Sequence, residues 1–364
     1  MRRIALAGTG LIGGSTGLAL RRAGIEVCAF DRDAPRAARA KEIGAVDEVA
    51  ATLTEAVADA DAIVVAVPVA AIASVVVEAL DAGVPAATDV GSVKAPVVAE
   101  VERIRPDLAR RFVGGHPMAG SEQDGLDGAD DDLFVGSTWV LTPTERTAPA
   151  AFGTVRTLVA TLGAEIVAVS PEHHDALVAV VSHVPQLAAT TLMDVAATSG
   201  EQHATLLRLA AGGFRDMTRI AAGHPGIWPD ICVANRDAIV TALDEYVDAL
   251  ERVRGLVAAS DRSGLLDVLE RARSARRSLP VGTPTGEGVL VELRVPVPDR
   301  PGVLSDVTTL AGQRGINIAD LEIAHSMEGG GGVLVLVVNE DADVDGFEAA
   351  LGERGYHCSR TPLP

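Results

Sequence analysis

The chain is poor in cysteine, in positive charge and in uninterrupted apolar runs. Its three cysteines, Cys28, Cys232 and Cys358, lie far apart and show no C-x-x-C spacing. That excludes a disulfide framework and a cysteine-built zinc site, and it fits reduced thiols in a cytoplasmic protein. Lysine and arginine total 31 against 50 aspartates and glutamates, a net charge of −19, with no basic block. Such a surface repels a polyanion, so no nucleic-acid partner is expected. An anionic ligand must be captured locally, by arginines in a pocket. The one run that invites a membrane reading, "AIVVAVPVAAIASVVVEAL" from Ala62, is broken by Pro68 and flanked by acids. A strand followed by a buried helix explains it better, and no membrane partner is expected. The first residues enter a strand and a glycine loop directly, without a signal-peptide pattern.

What is present is enough for a folded core. Of 364 residues, 48% are hydrophobic and 22% charged, which reads as a globular chain of two or three domains. "RRIALAGTGLIGGSTGLALRRAGIEVCAFD" reads strand, glycine turn, helix, strand. Gly8, Gly10 and Gly13 fit G-x-G-x-x-G. The first glycine permits a tight turn, the second lets a pyrophosphate approach the backbone, and the third lets helix and strand pack closely. The helix start at Leu11 and Ile12 offers free N–H groups to the phosphates. Asp31 closes the second strand, where an acid hydrogen-bonds the adenosine ribose and repels a 2′-phosphate. NAD is therefore expected over NADP, with Arg32 beside Asp31 as the counter-indication. Further strands are expected near residues 61–67, 86–90, 110–114, 138–142 and 165–169, giving a Rossmann-type, mostly parallel α/β sheet over residues 1–170. "VVAVP" (64–68), "TDVGSVK" (88–94) and "GGHPMAG" (114–120) then converge at strand ends, where such sheets bind ligands.

From residue 171 to about 279 the period becomes helical. Ile231, Ala238, Leu243, Tyr246, Leu250, Val253 and Val257 recur at steps that predict one long amphipathic helix. Apolar residues on more than one face predict burial against a second copy, hence an all-α dimerisation domain and a homodimer. Its polar exceptions are Ser182, His183, Gln186, Asp216, Arg219 and Arg236. "PVGTPTGEG" (280–288) has linker composition. Residues 288–364 then follow the order βαββαβ, a ferredoxin-like module. "PDRPGVL" followed by "GINI" resembles the ACT domain, which implies amino-acid binding, with Gly302 and Asn317 lining the effector site.

Four segments, "TDVGSVK", "GGHPMAGSEQDG" (114–125), "SPEHHDALVAVVSHVPQ" (170–186) and "GGFRDMTRIA" (212–221), resemble in this order the prephenate/arogenate dehydrogenase family of tyrosine biosynthesis. The resemblance implies NAD-dependent oxidative decarboxylation of a cyclohexadienol. It implies that His116 is the general base and that Ser92 lies beside it. Arg219 would grip the ring carboxylate, with Asp216 holding that arginine or a neighbouring group. Ser121 and Glu122 would form a polar rim, and Ser182 and His183 a helix beside the substrate. With the ACT domain appended, it also implies an effector that is tyrosine or another amino acid. One position departs from the bacterial "SHLPH" pattern: Gln186 replaces the last histidine. Gln keeps a donor and an acceptor but cannot be cationic, so prephenate and arogenate both remain open as substrates.

Other readings stand beside these. Lys94, one of two lysines with Lys41, is either a proton-transfer group, as in some β-hydroxyacid dehydrogenases, or a surface helix residue. His183 is either a substrate contact or a satisfied core residue. His173, His174 and Asp175 read as a solvated helix start rather than metal ligands, and no metal is expected. Asp124, Asp127, Asp130, Asp131 and Asp132 read as a solvated acidic loop. A non-catalytic sensor of NAD and an amino acid is the reading from another class.

Overall fold

The computed structural model describes residues 1–120, 125–202, 210–223, 225–278, 290–298, 300–325, 331–339 and 342–362. The chain divides into two compact units, Met1–Ala259 and Ser260–Pro364.

The first unit is built on eight strands: β1 (Arg3–Ala7), β2 (Glu26–Phe30), β3 (Glu48–Val49), β4 (Ala62–Val65), β5 (Ala87–Asp89), β6 (Phe112–Pro117), β7 (Thr138–Thr142) and β8 (Glu165–Ala168). Their spatial order is β3-β2-β1-β4-β5-β6-β7-β8. All neighbours are parallel except β6 and β7, which are antiparallel. Alternate residues of β1 feed opposite faces. Ile4 and Leu6 join the core under the helices Leu11–Arg22 and Pro149–Thr161, while Ala5 and Ala7 join the one under Val69–Asp81 and Ala95–Ile104. Both faces are thus covered, which is why β4 can be apolar throughout. Chain order reverses between β1 and β4, and an open sheet binds its ligand at such a reversal.

The helical part departs from the expected pattern in two places. The run from Pro171 is α-helical over Pro171–Val178, π-helical over Ala179–His183 and α-helical again over Val184–Gln202. Pro185 has no N–H to return to the preceding turn, and a widened turn absorbs the defect. The single helix expected through Ile231 and Val257 is two, Trp228–Ala234 and Arg236–Ala258. They break at Asn235 (φ −104°, ψ 30°), whose side chain is used elsewhere. Pro171–Thr198 is long and apolar enough to cross a membrane by length and composition alone, but it buries His174, Asp175, His183 and Gln186 within this unit. Val180, Val181, Val233, Val247, Leu250 and Val257 are exposed, and a cavity of about 450 Å³ opens among Val180, Val184, Ala188, Met217, Ile220 and Tyr246.

The second unit contains the helix Arg262–Arg277 and then the expected βαββαβ order: β9 (Leu290–Pro298), a helix (Val303–Gln313), β10 (Ile318–His325), β11 (Gly331–Asn339), a helix (Val344–Glu353) and β12 (Ser359–Pro362). The antiparallel sheet runs β10-β11-β9-β12. Leu293, Val307, Leu310, Leu336 and Phe347 form its core. Gly302 caps the first of these helices in the left-handed region (φ 93°), a conformation that strains any side chain. Asn317 is exposed just before β10.

Candidate active site

The glycine turn closes as its motif requires. Gly8 has φ 92°, and a Cβ there would strike the carbonyl oxygen of Ala66 beyond β4. A Cβ on Gly13 would strike the carbonyl oxygen of Gly8. Above Gly10 a Cβ would meet nothing within 4 Å. The helix that starts at Leu11 has no side-chain cap and no acid in its first turn. The turn is therefore tight beneath and open above, with unpaired N–H groups and the positive helix end facing the open side, which fits a pyrophosphate. Asp31 plays a larger part than the sequence suggests. Its Oδ2 accepts from the backbone N and the hydroxyl of Thr9, both at 2.8 Å, and its Oδ1 accepts from Asp33 N at 2.9 Å. The acid shapes the turn and still has lone pairs for a ribose. Arg32 is exposed.

The next two strand ends are stitched together by one buried carboxylate. Asp89, the last residue of β5, accepts from Gly91 N at 2.9 Å and from Gly115 N at 3.0 Å. Gly91 leads into half-buried Ser92, and Gly115 leads into His116 on β6. The two glycines before His116 are demanded by packing. A Cβ on Gly114 would strike the Thr142 hydroxyl, and one on Gly115 would lie 2.6 Å from Asp89 O and 2.7 Å from Thr88 Oγ1. Lys94 is 0% exposed; its ammonium pairs with Asp89 and donates to Gly115 O at 2.9 Å. This corrects the reading of Lys94 as a surface residue; its ammonium is engaged at the floor of the site. Burial pushes that ammonium below its ordinary range, with Asp89 opposing.

The helix after β8 supplies groups that the sequence reading set aside. His174 is 1% exposed, not solvated. Its Nε2 stands 2.9 Å from His116 Nδ1, and its Nδ1 stands 2.8 Å from Asp175 Oδ1. Asp175, also buried, accepts from the backbone N–H groups of Lys94 and Ala95, each at 2.8 Å. Only His173 is exposed as expected. A buried pair beginning a helix is hard to foresee, because a histidine and an acid at a first turn are ordinarily surface caps. Asn235, which beside Arg236 could face either the pocket or solvent, is buried: it donates from Nδ2 to Asp175 O at 2.9 Å and contacts His183 Nδ1 at 3.2 Å. Trp228 packs edge-on against His183 with ring centroids 6.1 Å apart.

Burial, then the neighbouring His174 and Lys94, hold His116 well below the ordinary histidine range. Burial lowers His183 from 6.5 to about 4, partly opposed by Asp175. Both rings are neutral near pH 7, the state a proton acceptor needs.

The remaining expected residues are placed as follows. Ser182 is half-buried in the π-helical turn, and Gln186 is 8% exposed on the next helix. Asp216 and Arg219 are exposed, on the short helix Gly212–Thr218 and the turn Arg219–Ala222 that follows it. Arg236 faces solvent and pairs with Asp237. Ser121 and Glu122 lie outside the described residues. In the acidic loop, Asp131 and Asp132 pair with Arg22.

Residues 16–168 match the family model "Prephenate dehydrogenase, nucleotide-binding domain", and residues 170–271 match "Prephenate dehydrogenase, dimerization domain". Residues 293–353 match an "AHAS small subunit-like ACT domain". The chain is 34% identical over 359 residues to a prephenate dehydrogenase of Bacillus subtilis, covering 97% of this chain and 96% of that one. It is 32% identical over 284 residues to a cyclohexadienyl dehydrogenase of Zymomonas mobilis, covering 76% and 96%. Among solved structures, prephenate dehydrogenase of Aquifex aeolicus in complex with hydroxyphenyl propionate and NAD+ superposes with a TM-score of 0.71 at 29% identity, over 77% of this chain and 99% of that one. Synechocystis arogenate dehydrogenase superposes with a TM-score of 0.67 at 30% identity, over 75% and 98%.

Proposed function

The chain belongs to the prephenate dehydrogenase family of NAD-dependent oxidoreductases, and from that premise we propose that it oxidatively decarboxylates prephenate to 4-hydroxyphenylpyruvate, with His116 as general base. NAD, when bound, supplies the hydride acceptor for C4 of the ring. CO2 leaves C1 and the ring becomes aromatic, so the driving force resides in the substrate. The protein has to orient the ring, take the C4 hydroxyl proton and hold the carboxylates. His116 stands at the carboxyl end of β6, on the side where the strand ends meet the glycine turn, and burial keeps its ring neutral. That placement is the observation on which the reading rests. Ser92 stands at the neighbouring strand end tied to His116 through Asp89. Arg219 is assigned the ring carboxylate, where a guanidinium can bind with two hydrogen bonds, and Asp216, Ser182 and His183 border the substrate. Committed Lys94 leaves little support for the β-hydroxyacid mechanism.

Gln186 favours a second reading in which arogenate is also accepted. It is nearly buried and uncharged, so it lacks the cation that a second histidine would set before a pyruvyl carboxylate. The family includes relatives named for both substrates. The exposed apolar helix faces are assigned to a homodimer, and the ACT unit, with Gly302 and Asn317, to an amino-acid effector such as tyrosine. The deciding experiment is NAD reduction with prephenate and with arogenate by the purified protein and by His116→Asn. The expected result is a fall in kcat of about 10²–10⁴-fold in the variant, with NAD affinity unchanged. Full activity in His116→Asn, or no turnover of either substrate by the parent, would sink the reading.

A further inference from the structure

We propose that His174 and Asp175 are positioning residues that fix the ring tautomer of His116, so that His116 presents a bare Nε2 to the substrate. The inference deepens the reading of His116 as base and rests on it.

The direction of the chain is forced from its buried end. Asp175 is pinned by backbone donors that cannot rotate away: Lys94 N to Oδ1 and Ala95 N to Oδ2, each at 2.8 Å. Its own backbone carbonyl is held by Asn235 Nδ2 at 2.9 Å. A carboxylate only accepts hydrogen bonds. His174 Nδ1, 2.8 Å from Oδ1, therefore carries its hydrogen. A neutral imidazole has one N–H, so His174 Nε2 is bare and must accept. The group facing it at 2.9 Å is His116 Nδ1, which therefore donates. The remaining nitrogen of His116, Nε2, is left without a hydrogen.

This order suits the reaction. A base that carried its hydrogen on Nε2 would offer the substrate hydroxyl a donor in place of an acceptor. The orientation is imposed before substrate arrives, and it costs no reorganisation in the reaction. When Nε2 takes the hydroxyl proton, His116 becomes an imidazolium whose Nδ1–H bond to His174 turns charge-assisted and strengthens. The charge forms one ring away from a fixed carboxylate. The same logic, a carboxylate orienting a histidine base, operates in hydrolase triads; here a second ring is interposed.

Two measurements test it. Side-chain 15N spectra of the unmodified full-length protein, labelled in histidine, report the tautomer directly. The expected signature for His116, assigned by its loss in His116→Asn, is a protonated Nδ1 and a bare Nε2; the opposite tautomer overturns the proposal. In kinetics, His174→Phe removes the acceptor, and His174→Gln restores one where Nε2 stood. The Phe variant should lose about 10²-fold or more in kcat at unchanged KM for NAD, while Gln should recover to within about tenfold of the parent. Equal kcat in the Phe variant and the parent, or equal losses in Phe and Gln, overturns it. The spectra remain decisive if the Phe variant does not fold. Full activity in His116→Asn would instead remove the base assignment, and the tautomer would still be read independently.

Discussion

Replacing Lys94 with Met tests whether one buried ion pair holds two strand ends in place. Met has a similar length and fills the same space, so the change isolates the charge. In the parent the ammonium has 0% exposure, pairs with equally buried Asp89, and donates to Gly115 O at 2.9 Å. Removing one member of a buried pair costs about 3–5 kcal/mol, because the other charge stays desolvated. The orphaned Gly115 carbonyl adds to that, within about 1–3 kcal/mol. Against this, Asp89 keeps the N–H groups of Gly91 and Gly115 at 2.9 and 3.0 Å. The net expectation is about 3–4 kcal/mol. At about 2–4 °C per kcal/mol for a domain of this size, the first unit should melt about 10 °C lower. The assay is thermal unfolding of the full chain by circular dichroism at matched concentration. Adding Asp89→Asn to Lys94→Met should cost less than the sum of the two single changes, since it removes the stranded charge. A shift below about 3 °C for Lys94→Met, or strict additivity in the double variant, would refute the reasoning.

Gly10→Ala should fold as the parent does, since a Cβ there meets nothing within 4 Å, yet lose about tenfold or more in NAD affinity by titration, because the methyl stands on the pyrophosphate face. Gly13→Ala should also lose stability, since its Cβ strikes the Gly8 carbonyl; unchanged melting would contradict the packing. Burial lowers the folded pKa of His183 to about 4 and that of His116 in the same direction, so the unfolded chain takes up protons first as pH falls. Stability should be full above pH 6.5 and decline between there and about pH 4, and His183→Gln should flatten the melting profile over that window. Gln186→His should raise kcat/KM for prephenate relative to arogenate, and an unchanged ratio would remove Gln186 as the discriminating residue.

Periodicity and glycine placement carried most of the architecture. Five strands after β2 lie where runs of apolar residues between turn signals placed them; β4 to β7 are mostly buried, as strands covered on both faces are, while β8 at the sheet edge is largely exposed. The glycine turn and the βαββαβ module were legible for a similar local reason: a tight turn or a left-handed cap admits few residues besides glycine. The helical period runs unbroken through Asn235, but there the backbone leaves helical dihedrals (φ −104°, ψ 30°) and the side chain bonds a carbonyl 60 positions away. No pattern in the neighbourhood of Asn235 encodes that partner.

The sequence by itself determined all of the sheet but the short β3, the dinucleotide turn and the small antiparallel module, since each follows from local geometry or a short motif, and its family resemblance named His116 as the candidate base. Tertiary structure alone decided what surrounds His116. Lys94 looked optional and is the cation beneath two strand ends; His174 and Asp175 looked like a solvated helix cap and back His116. These assignments depend on burial and on contacts across the sequence: the Lys94 ammonium with Gly115, 21 positions away, His116 with His174, 58 away, and Asp175 with the Lys94 backbone, 81 away. Charge and hydrogen bonding change meaning once water is removed, and only the packed fold shows where water is removed.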